Sequence, residues 1–327
     1  PLFTNLPPLR EADPKPLRPI KARPDFSDLN EGQWLAAEKM AHYLYYQPEV
    51  ESGPQDIAGT LFLLTGYAGT GKTYTMSKVI EDYLFSTPAA KVCVTAPVNK
   101  AVKVCRNAAK YYDERLSYRT VHSLLGLKPQ IQQDGTIKYL PEKGQKENPI
   151  VNLTLLIVDE VSMLDDYLFE LLVEEAKRGL KIIFVGDPFQ IPAVNNGDPL
   201  IFRPECPYPV WRAQLTECMR TASTSPILEL ATELREDPLR FQRIAPVDSP
   251  AVDGSQVYFL EGSDFRALLQ TWFTSPNFDR DSDFAKVIAW KNKTVNSANA
   301  LIRRLRYGAA AQSIMVGEKL LTDTPIF

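Results

Sequence analysis

The 327 residues leave room for two domains, and 44% hydrophobic with 24% charged residues describe a folded chain and exclude a wholly disordered one. The 37 basic and 40 acidic residues give a net charge of −3, which excludes a chain-wide cationic footprint, so a polyanion must be met by a local groove. Cys93, Cys105, Cys206, Cys218 and two histidines lack disulfide or metal-ligand spacing, and no apolar run reaches the ~18 residues of a membrane span; a soluble, cytoplasmic protein with reduced thiols is expected.

Residues 1–28 hold seven prolines and no helical or strand period, so they read as an extended or wrapping arm without the pattern of a signal sequence. From residue 29 the spacing of Trp34, Leu35, Ala37, Met40, Ala41 and Leu44 predicts a helix, with Asn30 as its cap. A repeated grammar follows. Nearly continuous apolar runs at 60–64, 91–96, 153–160 and 180–187 read as strands buried on both faces, and helical patterns at 72–85, 99–111 and 165–178 separate them. Such alternation predicts an α/β fold: a parallel sheet with helices on both faces and ligands at the carboxyl ends of the strands. At 128–150 the alternation breaks, and Ile131, Asp134-Gly135, Ile137 and Tyr139 read as an inserted β-hairpin. A helix at 225–237 reads as a connector, and a strand at 284–290 and a helix at 297–308 with a glycine stop read as the start of a second α/β unit from about 223.

The stretch 66–73, GYAGTGKT, lies between a predicted strand and a predicted helix. Glycines there let backbone amides approach phosphate oxygens, a lysine meets the β- and γ-charges, and a hydroxyl ligates Mg²⁺. Gly66, Ala68, Gly69, Thr70, Gly71, Lys72, Thr73 and Tyr74 are therefore the candidate nucleotide contacts. A dinucleotide loop is disfavoured, because Tyr74 stands where the third glycine would be needed. Asp159 and Glu160 close a buried strand where one acid can hold Mg²⁺ and the other polarise the attacking water, and Gln190 after the next strand can reach the γ-phosphate. On spacing alone Gln190 is equally a loop amide, and the acid pair a solvated strand end.

The ordered series NEGQ (30–33), GYAGTGKT, TAPVNKAV (95–102), RTVHSLLG (119–126), VDEVSM (158–163), VGDPFQIPAV (185–194) and LTECMR (215–220) resembles the motifs of superfamily 1 DNA helicases, in the RecD-like and phage Dda-like branch. The resemblance is close over 29–222 and weak over 284–308. It implies a RecA-like P-loop domain at 29–222, with the 128–150 insertion as a duplex-splitting pin, followed by an incomplete second RecA-like domain at 223–327. By the same resemblance Gln33 reads adenine, Lys72 and Thr73 hold phosphate and Mg²⁺, Asp159 and Glu160 are the metal and catalytic acids, Gln190 is the sensor and Arg220 the arginine that stabilises γ-phosphate charge.

For DNA the resemblance implies Thr95, Pro97, Asn99 and His122 along a single-strand path. Residues 99–119 add six basic side chains against two acidic ones. Tyr139 on the hairpin is placed to stack on a terminal base pair, and Trp290 beside Lys291 and Lys293 has the character of a stacking platform. The expectation is thus an ATP- and Mg²⁺-dependent 5′-to-3′ helicase acting as a monomer on single-stranded DNA and duplex junctions, alongside replication or recombination proteins and away from membranes. Two later family motifs, a second nucleotide-facing arginine and a Thr-x-x-x-x-Gln-Gly segment, are not found, which points to a fragment or to parts never present. The residues alone also admit a P-loop kinase or GTPase, although 292–295 lacks the aspartate of a guanine-reading motif, and a non-catalytic nucleic-acid clamp.

Overall fold

The computed structural model describes residues 18–45, 60–131, 137–141, 149–192, 197–219, 225–237, 239, 256–258, 260, 262–309, 312, 314–316 and 318. These fall into two compact units, the first running to residue 239 and the second starting at 256. Arg220, the hairpin tip Asp134-Gly135 and residues 1–17 of the arm lie outside the described residues.

In chain order the first unit contains β1 (Arg18–Pro19), α1 (Glu31–Tyr45), β2 (Leu61–Gly66), α2 (Lys72–Ser86), β3 (Val92–Ala96), α3 (Asn99–Ala108), β4 (Tyr111–Tyr112), β5 (Leu116–Thr120) and α4 (Val121–Leu124). It continues with β6 (Leu127–Ile131), β7 (Ile137–Pro141), β8 (Leu155–Val158), α5 (Asp166–Lys177), β9 (Lys181–Gly186), β10 (Val210–Leu215) and α6 (Pro226–Glu236). Six strands form one sheet in the order β10-β2-β9-β8-β3-β5, every pairing parallel. The fold is α/β, as the alternation predicted.

Strand alternation divides the apolar runs between two cores. Phe62, Leu64, Val94, Ile157 and Val185 point toward α1, α2 and α3, whereas Leu61, Leu63, Cys93, Leu156 and Phe184 point toward α5 and its neighbours. All ten are essentially buried, which is why these strands read as continuous apolar runs. The connection from β2 runs to one side of the sheet and that from β9 to the other, so the crevice between their carboxyl ends is a topological switch point.

Two excursions decorate this core. Hairpin β6–β7 pairs antiparallel with Ile131 opposite Ile137. Residues 18–28 fold back along α2: β1 pairs with β4, Ile20 and Phe26 pack on the core, and Arg18 and Arg23 each reach a buried acid, Glu81 and Asp82, at 2.6 Å. Asp28 completes this strap by accepting from Lys78 at 2.5 Å and from the Tyr74 hydroxyl.

The second unit is helical in its described residues, with α7 (Gly262–Phe273), α8 (Pro276–Arg280) and α9 (Asn292–Tyr307). Leu269, Phe273, Ala285 and Ile302 form its small core, and Arg306 bridges to Asp279 at 2.6 Å. Gly308, at φ 80°, ends α9. The strand expected at 284–290 does not form; among the described residues no other strand of this unit exists to pair with it. No helix among the described residues is long and apolar enough to cross a membrane.

Candidate nucleotide and nucleic-acid site

The loop after β2 explains its own glycines. Gly69 and Gly71 both sit at φ 85°, in the left-handed region that other residues avoid. A Cβ on Gly66 would lie 2.8 Å from the Leu215 carbonyl oxygen of β10, and one on Gly71 would lie 2.3 Å from Gln33 Nε2. Gly71 opens α2 without a side-chain cap, leaving first-turn N–H groups and the positive end of the helix dipole facing the loop. Lys72 Nζ donates to the carbonyl oxygens of Gly66 at 2.7 Å and Tyr67 at 3.0 Å, so its ammonium rests where an anion would draw it away.

The acids stand across the cleft. Asp159 follows β8 and is buried; its Oδ1 accepts from the Glu160 backbone N–H at 2.9 Å and its Oδ2 from the Cys105 thiol at 3.0 Å. Glu160 is the only non-glycine residue at positive φ among those described, at 54°. Burial, then Asp159, pushes its carboxyl above the usual glutamate range, against the pull of Lys72 and a hydrogen bond from Gln190. The Ser162 hydroxyl donates to Gln190 Oε1 at 3.2 Å and orients that amide. Ala68, Gly69, Gly71, Lys72, Thr73 and Tyr74 share one cavity of about 740 Å³ with Asp159, Glu160 and Gln190. Gly66 and Thr70 support this cavity without lining it.

Gln33 takes a different position from the acids. Only 3% exposed, it donates through Nε2 to the Thr70 carbonyl at 3.1 Å and accepts from the Asn30 N–H at 3.2 Å. It therefore caps α1 and clamps the phosphate loop, and it borders a separate hollow of about 280 Å³ with Asn30, Leu215 and Glu217.

The segments expected to meet DNA are divided. Thr95 is fully buried and its hydroxyl donates to the Ile157 carbonyl at 2.8 Å, so it ties β3 to β8 and does not reach the surface. Pro97 is half-buried and Asn99 exposed. Asn99 lines a polar hollow of about 520 Å³ with Arg106, Ser117, Arg119 and Ser123. The His122 and Tyr139 rings stack with centroids 4.0 Å apart, which anchors the hairpin to α4; burial holds His122 below its ordinary value, with Asp165 opposing. Trp290, in the second unit, is 87% exposed.

Sequence reasoning passed over Cys105, because nothing in its spacing marks a thiol that will meet an acid 54 residues away. It also passed over Arg106 and Arg119 as individual lining residues.

Fold and cleft together define a P-loop nucleotide-binding unit built on a parallel sheet. Residues 57–247 match the family described as AAA domain, more than half of the chain, so the chain belongs to that family, in the RecD-like and Dda-like branch of superfamily 1. It is 30% identical over 269 residues to the ATP-dependent DNA helicase dda of Enterobacteria phage T4, covering 81% of this chain and 56% of that protein. It is 31% identical over 216 residues to the ATP-dependent RecD2 DNA helicase of Deinococcus radiodurans, covering 66% and 27%. Among solved structures, the Bacteroides Pif1 helicase in complex with ADP-AlF3 and ssDNA aligns at 20% identity and a TM-score of 0.42, covering 78% of this chain and 57% of that one. The chain spans about half the length of the first curated relatives it matches.

Proposed function

We propose that the first unit binds Mg·ATP in the 740 Å³ cleft and hydrolyses it to drive 5′-to-3′ movement along single-stranded DNA and opening of duplex junctions. The observation that carries this reading is the convergence of Lys72, Asp159, Glu160 and Gln190 on one cavity at the switch point of the sheet. Lys72 leaves the Gly66 and Tyr67 carbonyls to meet the β- and γ-phosphates, and the first-turn amides of α2 take the remaining phosphate charge. Glu160 accepts the proton of the attacking water, and Gln190 positions that water.

The donor set fits Mg²⁺. Thr73 and Asp159 would hold it, since both line the cleft with Lys72 and both offer the hard oxygens that this ion takes. When bound, it would neutralise charge on the β- and γ-phosphates. By the resemblance of the motifs Gln33, beside the smaller hollow, would read the adenine edge, and Arg220 would supply charge to the γ-phosphate.

Single-stranded DNA follows Pro97, Asn99, Arg106 and Arg119 and meets the Tyr139–His122 pair at the hairpin, while the exposed Trp290 gives the second unit a stacking surface of its own. The test is ATP hydrolysis by the parent and Lys72→Ala, with and without oligodeoxythymidylate. Stimulation by DNA in the parent and loss of turnover in the variant are expected; DNA-stimulated turnover retained by Lys72→Ala refutes the site.

A further inference from the structure

Three parts of the first unit meet on Tyr67, the second residue of the phosphate loop. Its carbonyl oxygen accepts from Lys72 Nζ at 3.0 Å and from the Thr70 hydroxyl at 2.8 Å. Its ring packs against Phe189, centroids 5.6 Å apart and tilted 56°, and the Arg235 guanidinium lies 4.1 Å from the ring centroid. Phe189 immediately precedes Gln190, and its N–H is fixed by the Asp187 carboxylate at 3.0 Å. Arg235 sits in the last turn of α6, where its Nε donates to the Ala231 carbonyl at 3.0 Å, so its own helix aims the guanidinium. Neither Arg235 nor Phe189 lines the 740 Å³ cleft.

We propose that the Arg235–Tyr67–Phe189 stack passes nucleotide occupancy from the phosphate loop to helix α6 and to the Gln190 loop, which makes Arg235 a positioning residue for the coupling between nucleotide and DNA. The inference rests on the ATP-driven reading above. A carbonyl dipole competes poorly with triphosphate charge, so an entering nucleotide draws Lys72 off the Tyr67 oxygen and leaves that carbonyl to the Thr70 hydroxyl and N–H alone, about which the peptide re-settles. The ring turns with its peptide, and both of its partners are held by hydrogen bonds to their own elements. A displacement is therefore transmitted instead of being absorbed by a loose side chain. A cation on a ring face within about 6 Å is an attractive contact that depends on the ring and not on the phenol hydroxyl. This gives the device a specific chemical signature.

The test uses the full chain and two reciprocal titrations: a fluorescent non-hydrolysable ATP analogue with and without oligodeoxythymidylate, and labelled oligodeoxythymidylate with and without the analogue. Both titrations must return one coupling factor, expected at about fivefold or more in the parent. Arg235→Ala is expected to keep analogue affinity within about twofold while the coupling factor falls to about one, and Tyr67→Leu is expected to lose the coupling factor as completely. Tyr67→Phe keeps the parent factor, and Arg235→Ala with Tyr67→Leu falls no further than either alone. Parent-like coupling in Arg235→Ala overturns the inference, as does loss of coupling in Tyr67→Phe as complete as in Tyr67→Leu. The Phe-against-Leu comparison decides the point even if Arg235→Ala fails to fold. Lys72→Ala separates the two readings: undiminished analogue binding there sinks the nucleotide site itself, whereas its loss together with intact coupling in Arg235→Ala sinks the stack alone.

Discussion

The Cys105 thiol donates to Asp159 Oδ2 across 3.0 Å while the Glu160 N–H holds Oδ1 of the same carboxylate at 2.9 Å. Both oxygens are thus restrained, one by the neighbouring backbone and one by a thiol that does not line the cleft, as acids that serve a metal are when surrounding groups orient them. Cys105→Ala removes one restraint and is expected to raise the Mg²⁺ concentration needed for half-maximal ATP hydrolysis roughly tenfold. Cys105→Ser keeps a donor and stays close to the parent. A magnesium titration of ATPase rate checks both variants, and equal behaviour of Ala and Ser would remove the thiol from the account.

Gly71→Ala meets two separate costs. The left-handed backbone at φ 85° penalises any Cβ by about 1–2 kcal/mol, and this Cβ would also lie 2.3 Å from Gln33 Nε2 and break its bond to Thr70. Gly179→Ala is the control, since at φ 100° it meets nothing within 4 Å. The Gly71 variant is expected to lose more melting temperature than the Gly179 variant and, unlike it, to lose affinity for the ATP analogue. Thermal melts and analogue titration read the two effects.

Glu160 carries a stability cost with a definite pH dependence. Its folded-state pKa is raised above the ordinary 4.5, so the folded chain holds the proton more tightly than the unfolded one. The stability that this tighter proton binding contributes is fully present below 4.5 and is lost as pH rises through the higher folded value, leaving the cost of a buried carboxylate at high pH. Glu160→Gln is therefore expected to melt above the parent near about pH 8, with the gap closing toward about pH 4. In the parent, the acid limb of the hydrolysis profile should fall at a pH above the usual glutamate value. A limb at or below that value would take the general-base role away from Glu160.

The strap along α2 leaves a charge problem if it is cut. Asp82 is buried and meets Arg23 at 2.6 Å, so Arg23→Ala strands its carboxylate and lowers the melting temperature. Asp82→Asn in the same background removes the stranded charge and is expected to recover much of the loss. A melting-temperature cycle over the four proteins measures the coupling; additive effects would show that the pair contributes nothing.

Strands β2, β3, β8 and β9 were legible because burial on both faces writes itself as an unbroken apolar run. Their sheet-edge neighbours were not. LSYRT of β5 and VWRAQL of β10 leave several residues partly exposed, and polar positions there mask the strand period. The stretch at 284–290 reads as a strand on composition, but pairing decides strands and no partner lies among the described residues. Within the cleft, the glycine loop and the acids were readable because the chemistry fixes residue types at fixed spacing. The clamp of Gln33 on Thr70, the thiol of Cys105 and the cation of Arg235 over Tyr67 were not, since each depends on contacts between distant segments. Thr95 shows the opposite failure: a polar residue at a strand end reads as a surface contact, and the neighbouring Ile157 carbonyl claims it.

The position of β2 also bears on how the chain is made. β2 pairs with β9 on one side and β10 on the other, and the Thr65 hydroxyl donates to an Ala213 carbonyl 148 residues away. At synthesis rates of about 5–20 residues per second, that interval lasts roughly 7–30 seconds. Until β9 is made the nascent strand Leu61–Leu64 has neither flanking partner, and from then until β10 follows one of its edges stays open. Binding competence is therefore a late event in biogenesis, and a chain released before residue 215 is a client for chaperones.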